Sequence, residues 1–265
     1  MQWEQLTAPE FRKAVRKTGV CILAMGVIEK HSDHLPVGTD YLVVHREACL
    51  AAEKEPAVVF PPWYLGQNYN CRSFPGAVAV EPELLLRLIE DVFDEIRRNG
   101  FRKIIIASGH GGNDSLIRWL ARCTMWKEKP YSLYVVPETL DAKRRKEWES
   151  ICETTEHGHA CECETSVSLA IHPELVKMKA IPRRPATALR RLAHLPGVFT
   201  GVNWYSNYPD HYAGDARPAT AEKGRRLLEL AVDALAEYIA AVKADKVVPA
   251  LQTEFFARAK HPSGK

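Results

Sequence analysis

The sequence lacks any long apolar run, since no stretch approaches the roughly 18 consecutive apolar residues of a membrane-spanning helix. It also lacks an excess of charge of one sign: 36 Lys and Arg stand against 33 Asp and Glu in 265 residues, a net charge of +3. That balance does not indicate a nucleic-acid or membrane partner. With 46% hydrophobic and 26% charged residues, the composition is that of a globular protein and excludes disordered, collagen-like and coiled-coil classes.

The N-terminal stretch lacks the basic segment and following apolar segment of a secretory signal. The seven cysteines are an odd number, which does not suit a complete disulfide framework, and a chain of this size folds without one. We therefore expect a cytoplasmic protein in which most thiols are free.

Strand-like and helix-like patterns alternate along the chain, and no repeat or flexible linker divides it. Short apolar or β-branched runs predict strands at 19–26, 57–60, 103–107 and 131–136. Apolar stripes at helical spacing predict helices at 40–54, 81–98 and 220–243. This alternation predicts an α/β fold with a mostly parallel sheet and helices on both faces.

Three polar clusters lie in segments where such a fold carries its sites, at the carboxyl ends of strands. They are residues 29–40, 108–113 and 157–166, and the first two directly follow predicted strands. The three clusters are therefore the candidate site.

The first cluster contains four groups that bind metals, namely Glu29, His31, His34 and Asp40. In an extended segment Glu29 and His31 point to the same side, and a carboxylate beside an imidazole suits Zn²⁺, Mn²⁺ or Fe²⁺. The alternative is a polar loop whose acids cap the next helix, for which Asp40 is well placed.

The second cluster is the loop Gly109-His110-Gly111-Gly112-Asn113. Its glycines allow a sharp turn that exposes His110 at the sheet edge. A phosphate-binding loop would need a G-K-[ST] or G-x-G-x-x-G pattern, which is absent here. A single histidine is more often structural than a ligand, but this position favours a ligand.

The third cluster contains His157, His159, Cys161 and Cys163 at every second residue. This spacing does not match the usual spacings of zinc ligands, which favours a role for His159 and Glu162 in the main site, with the cysteines as buried fillers. The alternative, a structural zinc or redox Cys-x-Cys site, predicts that Cys161→Ala and Cys163→Ala release metal. We expect no such release.

Together the clusters resemble the creatininase (creatinine amidohydrolase) family over roughly residues 15–240. The resemblance rests on five motifs in the family's order: Glu29-x-His31-x-x-His34-Leu35-Pro36-x-x-x-Asp40, Phe74-Pro75-Gly76, Gly109-His110-Gly111-Gly112-Asn113, His159-Ala160-Cys161-Glu162-Cys163-Glu164-Thr165-Ser166 and Ala219-Thr220-Ala221-Glu222-Lys223-Gly224.

The resemblance implies a three-layer α/β/α sandwich that forms a homo-oligomer, commonly a hexamer. We expect one domain over residues 1–250 and a C-terminal tail over 251–265. The implied activity is hydrolysis of a C–N bond (amide, cyclic amide or formamide) in a small-molecule substrate. The implied cofactors are two divalent metal ions, Zn²⁺ first, with Mn²⁺ or Fe²⁺ as alternatives, which activate a water molecule.

Carried over to this sequence, the resemblance implies that Glu29, Asp40 and His110 hold one ion. His31 and the bridging Asp40 hold the other together with Glu162, which replaces a family glutamate found where this chain has Gly112; Glu164 is the alternative. His159 matches the family's proton-transfer histidine. Candidate substrate-binding residues are Gly111, Gly112, Asn70 and Trp204.

Several positions depart from the family pattern. Lys30 stands where glutamine is usual, although the neighbouring Asp33 offers it a partner, and Thr155 replaces a tryptophan that encloses creatinine. These departures argue against creatinine as the substrate. They also leave open a second hypothesis, a non-catalytic member of the family that binds a ligand or a partner.

Overall fold

The central element of the fold is a four-stranded parallel sheet with the order β2-β1-β3-β4. A computed structural model of the chain describes residues 1–137 and 140–262. The strands are β1 (Val20–Met25), β2 (Val58–Val59), β3 (Lys103–Ser108) and β4 (Ser132–Val135). A separate antiparallel pair is formed by β5 (His157–His159) and β6 (Ala213–Gly214).

The described residues form nine α-helices in addition to short 3-10 turns. They are α1 (Ala8–Thr18), α2 (Thr39–Lys54), α3 (Pro82–Arg98), α4 (Asn113–Cys123), α5 (Ala142–Ile151), α6 (Glu162–Ile171), α7 (Asn203–Asn207), α8 (Ala221–Ala244) and α9 (Val247–Lys260). The predicted α/β fold with a mostly parallel sheet is confirmed, and the predicted strands and helices are all present within a few residues of their expected ends.

Helices cover both faces of the sheet, which makes the molecule a three-layer α/β/α sandwich. Val20 and Ile22 of β1 pack with residues of α2 and α8 on one face. Cys21 and Leu23 pack with residues of α3 and α4 on the other. Because both faces are buried, every residue of β1 is buried, so the strand has a continuous apolar sequence rather than an alternating one.

Local sequence signals set the helix ends. The Glu81 carboxylate accepts a hydrogen bond from the Leu84 N–H at the start of α3, and Pro82 occupies the first turn. The Thr220 hydroxyl caps α8 in the same way by accepting from the Lys223 N–H. These caps fix where the helices begin relative to the loops that carry the polar clusters.

The topology brings the first two clusters together. β1 and β3 are adjacent and parallel, so the loops after Met25 and Ser108 leave the sheet at the same edge. Helix α2 begins at this edge and passes so close that a Cβ on Gly109 would lie 2.6 Å from the Asp40 carbonyl oxygen. Glycine at 109 therefore lets the β3 loop approach the start of α2.

All seven cysteines are free thiols, as predicted for most of them. No helix in residues 1–137 or 140–262 is long and apolar enough to cross a bilayer. Of the predicted C-terminal tail, residues 251–260 lie in α9, and residues 263–265 lie outside the described residues.

Candidate metal centre

Four predicted ligands from three segments meet at the carboxyl edge of the sheet. The two carboxylate oxygens of Asp40 face different imidazoles: Oδ1 lies 2.8 Å from His31 Nε2, and Oδ2 lies 3.2 Å from His110 Nδ1. Glu29 Oε1 lies 3.2 Å from the same His110 nitrogen. Glu29, His31 and Asp40 are almost completely buried, so this is an enclosed cluster of carboxylates and imidazoles.

Backbone carbonyls orient both imidazoles. His31 Nδ1 donates to the Glu29 carbonyl at 3.2 Å, and His110 Nε2 donates to the Gln67 carbonyl at 3.0 Å. A carbonyl only accepts hydrogen bonds, so these contacts place a proton on the outer nitrogen of each ring. The other nitrogen of each ring then faces the carboxylates, which is how histidines that ligate metals are held in proteins.

His159 lies against this cluster and has a defined tautomer of its own. Its Nε2 donates to the Lys30 carbonyl at 2.8 Å, which leaves Nδ1 without a proton. Its ring centroid is 4.1 Å from that of His31 and 5.9 Å from that of Trp204. Burial, reinforced by the neighbouring His31, lowers the pKa of His159 to about 3, so the imidazole is neutral near pH 7.

The electrostatics of the cluster are those of opposite charges buried together. Burial opposes the ionisation of Asp40, but His31 and His110 outweigh it and lower the pKa of this carboxyl. Burial likewise opposes a charge on His31, yet Asp40 raises the pKa of His31 to about 9. The pKa of His110 is also raised, because Asp40 and Glu29 outweigh its burial. The negative charges of the carboxylates therefore outweigh the cost of burying charge, and the site favours a positive charge between them.

The structure does not bring Glu162 to this cluster. Its buried carboxylate accepts hydrogen bonds from the backbone N–H of Glu153 at 3.0 Å, from the N–H of Thr154 at 2.7 Å and from the Thr154 hydroxyl at 2.8 Å. Lys223 Nζ lies 2.6 Å from its other oxygen. These contacts satisfy the carboxylate where it stands, so in this structure Glu162 ties α8 to the loop before β5.

Glu164, the alternative, is near the cluster but is not in any group of described residues whose ligand atoms lie within 4.8 Å of one another. It lines the same cavity as Glu29, Asp40 and His110, and its carboxylate accepts the Ala160 N–H at 2.5 Å. Burial is the main cause that raises its pKa to about 8; Cys161 and, to a smaller extent, Asp40 add to the effect, and His31 opposes it. A buried acid beside another acid in this way gains from a nearby cation.

His34, a further metal-binding candidate, lies elsewhere: its Nε2 is 2.9 Å from the Thr165 hydroxyl.

Two other side chains, Cys71 and His211, lie beside the cluster but were not among the site residues predicted from the sequence. Cys71 Sγ lies 3.0 Å from Glu29 Oε2 and 2.7 Å from His211 Nε2. The signal available for Cys71 was its position just ahead of the Phe74-Pro75-Gly76 motif, and for His211 its position in an aromatic-rich segment.

A cavity of about 1050 Å³ opens onto the cluster. All four candidate substrate-binding residues line it: Asn70, Gly111, Gly112 and Trp204. The Trp204 indole N–H is buried and has no hydrogen-bond acceptor among the described residues. The cavity therefore combines an apolar wall, an unused donor and the buried carboxylates, which suits a small polar molecule.

Lys30 does not place its charge in the cluster. Its ammonium lies 3.1 Å from the Asp33 carboxylate and 5.1 Å from the centroid of the Phe74 ring. The ion pair between Lys30 and Asp33 that the sequence suggested is therefore present.

Three of the four non-glycine residues with a positive φ in the described chain adjoin the site. They are Ser32 (φ 54°), Ala160 (φ 52°) and His211 (φ 54°), and the Ser32 N–H donates to the His211 carbonyl at 3.0 Å. Left-handed backbone at residues other than glycine is uncommon and collects at functional sites.

An enclosed carboxylate–imidazole cluster at the carboxyl edge of a parallel sheet, beside an open cavity, is the architecture of an α/β protein with a metal centre. The comparisons with known proteins agree. The creatininase family, described as creatinine amidohydrolase, matches residues 4–239. The chain therefore belongs to the creatininase family of amidohydrolases, as its motifs predicted.

Three characterised relatives are similar over most of the chain. The 3-dehydro-scyllo-inosose hydrolase of Thermotoga maritima is 27% identical over 260 residues, 89% of this chain and 82% of that protein. The creatinine amidohydrolase of Pseudomonas putida is 25% identical over 263 residues, covering 89% and 94%. The mycofactocin precursor peptide peptidase of Mycobacterium ulcerans is 27% identical over 221 residues, covering 80% and 81%.

Solved structures share the fold. One from Bacteroides fragilis, described as a creatinine amidohydrolase, has a TM-score of 0.79 and 26% identity, over 93% of this chain and 98% of that chain. A manganese form of creatininase has a TM-score of 0.76 and 21% identity over 92% and 99%. A Zn–Zn form of a mutant creatininase has a TM-score of 0.76 and 22% identity over 92% and 98%.

Proposed function

We propose that this protein is a hydrolase that uses two divalent metal ions to cleave a C–N bond in a small molecule. One observation carries the proposal: each oxygen of the buried Asp40 carboxylate faces a different imidazole, His31 on one side and His110 on the other. A carboxylate shared in this way is suited to bridge two ions. The oriented imidazoles, each with its inner nitrogen free of a backbone partner, support the same reading.

The residues fit a pair of ions. Glu29, Asp40 and His110 would hold one, and His31 and Asp40 would hold the other together with Glu164, which lines the same cavity while Glu162 is held by Glu153 and Thr154. Carboxylate and imidazole ligands suit Zn²⁺, with Mn²⁺ as the alternative, and relatives of the same fold are known in manganese and Zn–Zn forms. When bound, such ions provide a water nucleophile at neutral pH and polarise a substrate carbonyl.

His159 has the features of the proton carrier. Its ring is neutral, its Nε2 proton is committed to the Lys30 carbonyl, and its Nδ1 carries a free lone pair. We infer that Nδ1 takes a proton from the attacking water and returns it to the departing nitrogen, because an amide nitrogen leaves poorly until it is protonated. The Lys30 contact keeps the ring in the tautomer that this exchange requires.

The substrate would occupy the cavity that Trp204 lines. The unpartnered indole N–H offers a donor to a substrate oxygen or nitrogen, and the absence of side chains at Gly111 and Gly112 leaves room beside His110. The relatives named above act on creatinine, an inosose and a peptide, so the family has changed its substrate more than once. Thr155 stands where the family resemblance places a tryptophan that encloses creatinine, so creatinine is not the substrate that we propose.

A panel of cyclic amides, formamides and short peptides tests the proposal. Incubation with the Zn²⁺- or Mn²⁺-reconstituted protein is expected to release the amine or acid product from at least one member, and Asp40→Ala is expected to abolish that turnover. If every member stays intact with both reconstituted forms, the protein is instead the non-catalytic ligand-binding member. No contact of Lys30 favours that second hypothesis, since its charge is paired with Asp33.

Gly112→Ala is expected to weaken the binding of metal by about 10- to 100-fold, the usual effect of disturbing a group that orients a metal ligand. A Cβ at this position would lie 2.4 Å from His110 Nε2 and 2.6 Å from the Gln67 carbonyl, so it would break their hydrogen bond. Gly111→Ala is the matched control, since its Cβ would meet nothing within 4 Å. Zinc titration of the two metal-free variants against a chelating dye measures the difference. Equal affinities would contradict the account of His110.

Glu164→Gln and Glu162→Gln are expected to have opposite effects. Loss of the Glu164 carboxylate should remove one of the two ions and leave the fold stable. Loss of the Glu162 charge should leave the metal content unchanged and lower the free energy of unfolding by about 1–3 kcal/mol, because Lys223 then keeps only the exposed Glu153 as a charged partner. Elemental analysis and urea unfolding of both variants separate the two roles. If only Glu162→Gln loses an ion, the ligand is Glu162, as the family resemblance implied, and not Glu164.

A homo-oligomer, a hexamer by family resemblance, stays a prediction. Apolar side chains at the cavity rim are consistent with a contact between copies, since Phe199 is 86% exposed and Val202 is 56% exposed.

A further inference from the structure

We propose that His157, Cys161 and Cys163 form a separate binding site for a thiophilic divalent cation, of which Zn²⁺ is the natural example. The ligand atoms of the three residues lie within 4.8 Å of one another, and the Cys161 and Cys163 sulfur atoms are 3.2 Å apart. Two thiolates and one imidazole, with water in the fourth position, are a ligand set that proteins use for zinc. None of the three is among the ligands proposed for the main centre.

The spacing of these residues in the sequence is not that of usual zinc ligands, but the conformation of the backbone brings their side chains together. Ala160 adopts a left-handed conformation, with φ 52°, between β5 and α6. This reversal turns the start of α6 back toward β5, so that Cys161 at the N-cap and Cys163 in the first turn come next to His157. A spacing rule written for ordinary zinc loops does not describe a strand–helix corner of this kind.

The environment of His157 provides an independent sign of a missing partner. Its Nδ1 is buried and makes no hydrogen bond of normal geometry with the described residues, although the ring lies close enough to the Cys161 thiol to help lower the pKa of that thiol. Its ring is held edge-on against Trp148, with a centroid distance of 4.3 Å and an interplanar angle of 79°. A buried polar nitrogen without a partner is costly, and coordination to a cation would satisfy it.

The two thiols are placed to act as ligands. Cys161 is buried at the N-cap of α6, where the positive end of the helix dipole favours the thiolate, the form that binds metal. Cys163 is half-buried and lines a small cavity of about 170 Å³, which Asp40 and Glu164 of the main centre also line.

The observed geometry requires only a small adjustment. Zn–S bonds of about 2.3 Å place two thiolates of one tetrahedral site about 3.7 Å apart. The sulfur atoms must therefore separate by about half an ångström, which a rotation of the half-buried Cys163 side chain allows. The open fourth position would be taken by water.

A cation here would fix the β5–α6 corner. That corner carries His159 on β5 and Glu164 on α6, so an ion bound to His157, Cys161 and Cys163 would brace the backbone from which two residues of the main centre project. The site is thus suited to a positioning role, distinct from the binding of substrate.

Titration with Co²⁺ tests the proposal without relying on activity. The full-length metal-free protein, reduced and kept anaerobic, is titrated while the near-ultraviolet thiolate-to-cobalt charge-transfer band is recorded. The main centre offers carboxylates and imidazoles, and the Cys71 thiol lies 3.0 Å from Glu29 Oε2, an atom of one of its proposed ligands. Asp40→Ala and Cys71→Ser therefore serve as matched controls for a signal arising there.

We expect the band in the wild-type protein, in Asp40→Ala and in Cys71→Ser, saturating at one equivalent in Asp40→Ala. We expect at least a tenfold loss of intensity at one equivalent in Cys161→Ser/Cys163→Ser, and weaker Co²⁺ binding in His157→Ala, with native circular dichroism in both. A band that vanishes in Cys71→Ser, or that survives in the double variant, overturns the proposal. So does the absence of any band in the wild-type protein. Because Asp40→Ala should keep the band, the result is independent of the main centre.

Discussion

Replacing His159 by alanine is expected to lower kcat by about 10²–10⁴-fold, the usual effect of removing a general acid–base group. The metal content should change little, because His159 Nε2 donates to the Lys30 carbonyl at 2.8 Å, whereas the Glu29 carboxylate lies farther away, at 3.7 Å. The loss should fall on kcat more than on KM, since the proposed role of Nδ1 is to act on the reacting atoms rather than to bind substrate. Steady-state kinetics on the panel substrate that gives turnover, with elemental analysis of the same sample, measures both effects.

The control for this prediction is His45→Ala, which removes another half-buried imidazole from α2, away from the cavity. It should keep kcat within a few-fold of the wild-type value. Two results would exclude His159 as the proton carrier: a kcat that falls less than tenfold, or a fall that is fully explained by loss of metal.

Asp40→Ala should have the larger effect on the centre itself. Asp40 is the one carboxylate that touches both His31 and His110, so its loss should reduce the metal content to below one tightly bound ion per chain. We expect kcat/KM to fall by at least ~10³-fold, equivalent to about 4 kcal/mol of transition-state stabilisation. Elemental analysis after dialysis against a weak chelator, combined with kinetics, measures the change.

Asp40→Asn accompanies this variant, because it keeps the size of the side chain and guards against a general loss of packing at the start of α2. It should retain the native circular dichroism and still lose metal, since an amide cannot supply two anionic oxygens. If Asp40→Asn keeps two ions per chain, the bridging role of Asp40 is wrong.

The sequence predicted the fold and much of the site because both depend on local signals joined by simple topology. β1 and β3 are buried on both faces and therefore stand out as apolar runs, and parallel neighbours must end at the same edge. That rule alone places the loop of Glu29 and His31 beside the loop of His110. The distances then follow from the fold, with Asp40 entering from the first turn of α2.

The choice between Glu162 and Glu164 could not be made from the motif. The two acids lie two residues apart in the first turn of α6, and each helical residue turns by about 100°, so they point to nearly opposite sides. Which side faces the centre depends on the rotation of the helix, and that is set by the left-handed Ala160 and by Lys223 of α8. Both residues belong to the motifs, but the φ angle of Ala160 and the contact of Lys223 with Glu162 are properties of the folded chain that the residue types alone do not reveal.

Contacts between residues that are far apart in the sequence could not be predicted either. Cys71 and His211 are separated by 140 positions, and nothing in the local sequence of either predicts that their side chains meet beside Glu29. A metal site at His157, Cys161 and Cys163 was considered from the sequence but judged the less favoured alternative, because a single left-handed residue, which the spacing does not reveal, determines whether the three converge.

The number of ions bound by the main centre tests the account most directly. Elemental analysis of the reconstituted protein in a Cys161→Ser/Cys163→Ser background excludes the thiol site and counts only what the carboxylate–imidazole cluster retains. We predict two divalent ions per chain, falling below one when Asp40→Ala is added. A count below one before Asp40 is changed, after reconstitution with either Zn²⁺ or Mn²⁺, would contradict the metal centre and the hydrolytic mechanism built on it.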